Sequence, residues 1–161
     1  MENACTLTVD GTESGYVCRI EGRGTMGESP HVRDFICGAI ADGAHVVLDL
    51  STCEYLDSTF LGCLVMLHAR GENQDGSFRI FADPSRREKL LGTVHLDHYL
   101  NFTDECPAGT GDPVTLDVSV LDRAEFGEHL LETHRKLAEL GGPAAGTFQK
   151  VADQIARELG A

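Results

Sequence analysis

The chain has 161 residues and a formal net charge of −13, a length that fits one domain with a single hydrophobic core. The excess of acidic residues argues against nucleic acid as a partner, because binding a phosphate backbone requires clustered Lys and Arg. The sequence contains no apolar run long enough to span a membrane and no signal peptide at its start, so we predict a cytoplasmic protein. Its six cysteines are scattered without a Cys-x-x-Cys pair, which favours buried, reduced thiols over a disulfide framework or a zinc site.

The first 43 residues predict a hairpin followed by a helix. Residues 5–9 alternate between polar and apolar, and residues 16–21 form a second β-like run after a turn. A helical pattern follows and ends at Asp42-Gly43. We expect Ser29 to be its N-cap and Pro30 its first helical residue, with Gly43 just past its end.

Residues 45–67 form the stretch around which the chain is organised. Residues 46–50 form a short, mainly apolar run that contains two β-branched valines, as in a strand buried on both faces. After a turn-rich passage, Asp57, Ser58 and Thr59 stand directly before an apolar stripe at helical spacing. The sequence therefore predicts a strand, a loop and a helix, with two hydroxyl groups at the N-terminus of the helix.

The next 50 residues predict the rest of a sheet. A strand is expected at 77–82 and a short helix at 86–91. Residues 105–113 are turn formers, and the alternation over 114–120 favours an added edge strand. The order of elements predicts an α/β fold, a mixed central β-sheet with helices packed on it.

Two amphipathic helices are predicted after residue 122, separated by Gly141, Gly142 and Pro143. Each carries an apolar stripe that has to be buried against the sheet, the other helix or a second subunit. We therefore expect this extension to cover one face of the core or to support a homodimer.

The stretch from strand to helix resembles the signature of the STAS family, the anti-sigma factor antagonists. In that family a strand and a loop precede Asp-Ser-(Ser/Thr)-Gly-(Leu)-Gly at the start of the second helix. The matching residues are Leu48-Asp49-Leu50, Leu56-Asp57-Ser58-Thr59 and Leu61-Gly62, with Phe60 where the family usually has a small residue. Residues 95–103 resemble the family's closing turn and last core strand. The resemblance implies a STAS domain over residues 1–120 and a C-terminal helical extension over 121–161.

The resemblance also implies a function. A member of this type binds a kinase-type anti-sigma factor of the GHKL type and so releases a sigma factor, which regulates transcription indirectly. The kinase, which brings ATP and magnesium, switches the antagonist off by phosphorylating Ser58, and a PP2C-type phosphatase switches it on again. Thr59 is the alternative acceptor. The chain itself would be a binding protein without a cofactor, not an enzyme.

By the same resemblance, Asp57 orients the phosphorylation site and neighbouring residues contact the partner. The loop before the first helix lies beside the phosphorylated serine in that family and often carries an acidic pair, which this chain lacks. The expected partner-binding residues are Arg23, Thr25, Met26, Asp57, Ser58, Thr59 and Phe60.

Two other functions compete with this one. Residues 22–27 match the glycine-rich dinucleotide fingerprint and Asp49 lies at a suitable distance, yet residues 28–30 delay the helix beyond the last glycine. A strand-to-helix loop is therefore the favoured interpretation. The second competitor is a STAS scaffold subunit of a signalling or transport assembly, in which Ser58 acts only as a helix cap.

The histidines raise the question of a metal site. His95 and His98, and also His129 and His134, have helical spacing near acidic residues, but the sequence places no third or fourth ligand. We therefore expect these four side chains on exposed helix surfaces.

Overall fold

The computed structural model describes residues 5–72, 74–118 and 122–160. Within them, seven strands form one sheet and five α-helices pack around it. In chain order the elements are β1 (Cys5–Gly11), β2 (Gly15–Gly24), α1 (Ser29–Ala41), β3 (His45–Asp49), β4 (Cys53–Leu56), α2 (Ser58–Gly71), β5 (Ser77–Phe81), α3 (Pro84–Leu91), β6 (Phe102–Thr103), β7 (Val114–Thr115), α4 (Arg123–Glu139) and α5 (Ala145–Glu158).

The sheet is mixed, as the sequence predicts. Its strand order is β6-β5-β3-β2-β1-β7, and β4 pairs with the far end of β2. The β1–β2 and β1–β7 pairs are antiparallel, whereas β2, β3, β5 and β6 run parallel. Strand β3 lies at the centre, where Leu48 is opposite Cys18 on one side and Ile80 on the other. An apolar central strand is expected because helices and neighbouring strands bury both of its faces.

Helix α2 belongs almost entirely to the core. All nine residues from Thr59 to Leu67 are buried, because the helix packs against α1, β5 and α4. The carboxyl ends of β3 and β4 direct the chain into this helix, so that its first turn lies at one end of the sheet. This arrangement positions the Asp57–Ser58 motif.

Three details differ from the predictions. Ser29 is not the N-cap of α1 but its first residue, and it is completely buried, while Glu28 occupies the cap position without a side-chain cap bond. Strand β2 extends to Gly24 because the unpredicted strand β4 pairs with it. Of the predicted edge strand over 114–120, the described part contains the two-residue β7, and positions 119 and 120 of that prediction lie outside the described residues.

The C-terminal helices cover part of the domain. Helix α4 packs along α2, and α5 packs against α4. On α4, the side chain of Leu137 is part of the main hydrophobic core. The division of the chain at residue 120 and the homodimer stay predictions. Across residues 5–72, 74–118 and 122–160, no helix is both long and apolar enough to cross a membrane.

Candidate functional site

Asp57 joins the start of α2 to the loop after β2. One carboxylate oxygen accepts a hydrogen bond from the backbone N–H of Phe60 at 2.9 Å, which makes Asp57 the N-cap of the helix. The other oxygen accepts from the backbone N–H of Met26 at 2.8 Å. The N–H of Asp57 also donates to the carbonyl of Gly24 at 3.1 Å. Asp57 therefore holds two chain segments at fixed positions beside Ser58, and its role in orienting a phosphorylation site stays a prediction.

The loop before α1 is braced by its own side chains. The carboxylate of Glu28 accepts hydrogen bonds from the N–H of Thr25 at 2.9 Å and from its hydroxyl at 2.8 Å. The loop presents Met26, whose surface is 46% exposed. The structure therefore brings the predicted residues Thr25 and Met26 next to Asp57.

Tyr55 is an exposed aromatic residue close to this loop in the fold, and the sequence did not predict it as a site residue. The guanidinium of Arg23 lies over the ring of Tyr55, 3.9 Å from its centroid, and the tyrosine is 41% exposed. The two residues face each other because β2 and β4 pair in parallel, with Arg23 opposite Tyr55. A short β-run at residues 53–56 is the sequence signal that could have revealed this pairing.

The structure places Phe60 away from the surface on which it was predicted. Its side chain is completely buried, and a Cβ on Gly24 would lie 3.1 Å from the phenylalanine ring. Thr59 is buried as well, whereas Ser58 is half-buried. Successive helical residues are rotated by about 100°, so the residues after Ser58 turn into the core. Phe60 thus supports the site from beneath and contributes no exposed contact.

Ser58 is bonded to a residue of the C-terminal extension. Its Oγ lies 3.2 Å from Nε2 of His134, and Nδ1 of the same ring lies 2.8 Å from the carbonyl oxygen of Leu130. A carbonyl only accepts, so Nδ1 carries the proton and Nε2 is free to accept from the serine hydroxyl. His134 therefore accepts a hydrogen bond from the hydroxyl of Ser58 and fixes its direction.

A second serine–histidine contact lies nearby. Ser29 Oγ makes a short hydrogen bond with Nε2 of His129, and a guanidinium nitrogen of Arg33 lies 3.0 Å from Nδ1. Because Arg33 only donates, Nδ1 is the acceptor and Nε2–H donates to Ser29. Burial of the ring, and next the positive charge of Arg33, lower the pKa of His129 from 6.5 to about 4. The imidazole is neutral at pH 7.

The prediction of exposed histidines is wrong for His129 and His134. They are 0% and 6% exposed, because α4 turns the face that carries them, together with Thr133, toward α1 and α2. The spacing of four to five residues between these polar positions is the signal of a shared helix face. Within the described ranges, no cluster of three or more potential ligands could hold a metal ion.

The glycine-rich run at 22–27 has a packing role. Gly22 and Gly24 belong to β2 and pair with β4, and α1 begins only at Ser29. A Cβ on Gly24 would lie 2.7 Å from the end of the Leu56 side chain and 3.1 Å from the ring of Phe60, so glycine lets these two side chains pack closely against β2. The arrangement differs from a dinucleotide site, in which a helix begins within the motif.

Replacing Asp57 with alanine is expected to lower the free energy of unfolding by about 1–2 kcal/mol, through loss of the helix cap. It should also release the loop at Met26, which we expect to see as faster hydrogen exchange at that amide. Asp83→Ala is the matched control, since Asp83 caps α3 through the N–H of Arg86. Equal exchange at Met26 in both variants would contradict the proposed orienting role.

Comparison with known proteins identifies the family. A family model described as "Mlab, STAS domain" matches residues 7–103. Seven chains of known structure also match, among them a crystal structure of an anti-sigma factor antagonist from Mycobacterium paratuberculosis. That structure aligns with a TM-score of 0.51 at 24% identity, over 65% of this chain and 90% of the other, and it shows a shared fold. Among curated proteins no significant match was found. The chain belongs to the STAS-domain family, as the Asp57–Ser58 motif predicts.

Proposed function

We propose that this protein is an anti-sigma factor antagonist that binds a kinase-type anti-sigma factor and is switched off by phosphorylation at Ser58. The observation that carries the proposal is Ser58 itself, the first residue of α2, placed directly after the Asp57 cap in a chain of this family. The solved relative from Mycobacterium paratuberculosis is itself an anti-sigma factor antagonist, which supports the same role. In this proposal the kinase supplies ATP and magnesium, and a PP2C-type phosphatase restores the active form.

The position of Ser58 suits a switch that alters affinity and leaves the fold intact. A phosphate group adds about −1.5 to −2 charges at pH 7, and a helix N-terminus tolerates an anion because its N–H groups and dipole favour negative charge. A partner that covers the unmodified hydroxyl would instead have to bury a dianion beside Asp57. A loss of about 3 kcal/mol would weaken binding more than a hundredfold.

The proposed contact surface consists of Arg23, Met26, Tyr55 and Ser58, which we call the Ser58 surface. It combines an exposed thioether, an exposed aromatic ring and a cation, side chains that are enriched in protein interfaces. Asp57 and Phe60 shape the surface from within. We propose that Tyr55 takes the contact role that the sequence analysis assigned to Phe60.

Affinity capture from a lysate of the native host should identify the partner. With Ser58→Ala as bait, we expect a kinase-fold protein to be retained and identified by mass spectrometry. With Ser58→Asp, we expect its yield to fall at least tenfold, because the added carboxylate mimics part of the phosphate charge.

The matched control is Ser85→Asp, which adds the same charge to the exposed first turn of α3. It should retain the partner as the unmodified chain does. Retention of the same proteins by the Ser58→Ala and Ser58→Asp baits would overturn the phosphorylation switch.

One observation favours a second candidate, a scaffold subunit of a signalling or transport assembly. The hydroxyl of Ser58 is bonded to His134 and partly covered by α4, as expected for a residue that is not modified. In that case, both baits would capture the same stable, high-mass complex.

A further inference from the structure

Helix α4 contacts α2 at a position that only glycine permits. A Cβ on Gly62 would lie 2.2 Å from the carbonyl oxygen of Thr133, so the absence of a side chain allows the two helices to touch. The close contact at Gly62 lies one turn beyond Ser58. Helix α4 thus crosses α2 directly beside the first turn of that helix.

The contact between α4 and the domain has an unusually polar part. Six polar or charged side chains are buried in the described ranges. Four of the six meet where α4 approaches the beginnings of α1 and α2, and they are Ser29, His129, Thr133 and His134. Hydroxyl and imidazole groups regain hydrogen bonds in water, so separating this contact costs less than separating an apolar one of equal area.

The outer edge of the same contact is also polar. Glu132 of α4 lies 3.8 Å from Arg70 of α2, and both side chains are more than a third exposed. An exposed ion pair of this kind contributes little to the stability of a docked helix. The buried leucines of α4 are Leu131 and Leu137, which are 7% and 2% exposed, and Leu137 belongs to the main core.

The hydroxyl of Ser58 is hydrogen-bonded and partly covered while α4 is docked. The imidazole of His134 occupies the space next to Oγ, at 3.2 Å. Phosphorylation would replace the hydroxyl proton that Nε2 accepts, so this hydrogen bond would be lost. A kinase or a partner that reaches the hydroxyl would meet the imidazole as well.

We propose that α4 and α5 form a displaceable lid over the beginnings of α1 and α2, and that the lid must open before Ser58 becomes accessible. The lid is an autoinhibitory contact within one chain, docked at Gly62 and latched by His134 on Ser58 and by His129 on Ser29. Its effect on partner binding rests on the proposed function, whereas its opening does not.

The test is hydrogen–deuterium exchange of the full chain carrying Gly62→Ala, followed by mass spectrometry. The new methyl group would push against Thr133, while alanine has a higher helix propensity than glycine and so favours α2. We expect amides of α4 to exchange at least tenfold faster and those of β3 and β5 to keep their protection. Gly38→Ala is the matched control, since a Cβ there meets nothing within 4 Å.

A second variant keeps the test decisive if Gly62→Ala destabilises the whole chain. His134→Ala removes the latch on Ser58 without a steric clash, and we expect faster exchange confined to α4 and the first turn of α2. Unchanged exchange of α4 in both variants would overturn the proposal. Equal acceleration throughout the sheet would also overturn it, because α4 would then be part of one cooperative core.

The lid and the proposed function fail in different ways. If the lid exists and the function is correct, the Gly62→Ala bait should capture at least tenfold more of the kinase-fold protein than the Gly38→Ala bait. Faster exchange of α4 without any captured kinase would retain the lid and overturn the anti-sigma function. A captured kinase whose yield is equal for both baits, with unchanged exchange of α4, would overturn the lid alone.

Discussion

Replacing Phe60 with alanine is expected to lower the free energy of unfolding by about 3–5 kcal/mol, the usual cost of removing a buried phenylalanine side chain. The ring is completely buried and packs against Gly24, directly beneath the Ser58 surface. The cavity left by the ring has little chance to collapse, because the residues from Thr59 to Leu67 are buried on all sides. Urea unfolding followed by circular dichroism measures the loss.

Tyr55→Ala is the control for Phe60→Ala, since it removes an aromatic ring from the exposed side of the same site. With 41% of its surface exposed, Tyr55 should change the free energy of unfolding by less than about 1 kcal/mol. We expect it to weaken partner capture instead, through loss of the contact with Arg23. Similar losses of stability in the two variants would refute the assignment of Phe60 to the core and of Tyr55 to the surface.

Lowering the pH from 7 to 4 is expected to weaken the docking of α4 by about 3 kcal/mol through His129 alone. The pKa of this group is about 4 when buried and 6.5 when free, and each unit of difference corresponds to about 1.4 kcal/mol. A lowered histidine pKa means that the docked state disfavours the proton. The stabilisation is therefore complete above pH 6.5 and is lost as the pH falls toward 4.

Burial of the His129 ring is the main cause of its lowered pKa, and the charges around it contribute next. Protonation would place a cation against the guanidinium of Arg33, with His134 nearby, and only Asp34 would oppose the repulsion. The measurement is the rate of hydrogen exchange in α4 as a function of pH, corrected for the intrinsic rate. His129→Gln removes the titrating group and keeps a polar side chain.

Other groups titrate in the same range, so the His129→Gln comparison is needed. Hydrogen bonds lower the pKa of Asp10 and of Asp122, and their contributions are also lost as the pH falls. These carboxyl groups are present both in the unmodified protein and in His129→Gln. A difference between the two pH profiles therefore reports His129, and identical profiles would refute its role in docking α4.

Several parts of the fold could be predicted because local patterns specify them. The apolar run at 46–50 predicts a central strand, and the structure has β3 at His45–Asp49. Likewise, Asp57 before an apolar stripe predicts a capped helix, and the carboxylate does accept from the N–H of Phe60. The order of elements predicts a mixed sheet and agrees with a STAS domain, and both predictions are confirmed.

Other parts escaped the sequence analysis because they depend on distant pairings. Serine is a common N-cap residue, yet Ser29 is buried by a contact with His129, which lies 100 positions further along the chain. Strand β4 is short and exists because β2 extends to meet it. The assignment of Phe60 to the contact surface was wrong, since the direction of a helical side chain depends on which face the rest of the molecule buries.

The sequence by itself determined which residues begin α2, and that Asp57 and Ser58 stand at its first turn, because capping and helical periodicity act over a few neighbouring residues. Only the tertiary structure decided what surrounds Ser58. Imidazole groups are compatible with either an exposed or a buried helix face, and packing against Gly62 buried the face that bears His134. The accessibility of Ser58 is consequently a property of the contact between α2 and α4, which no local pattern encodes.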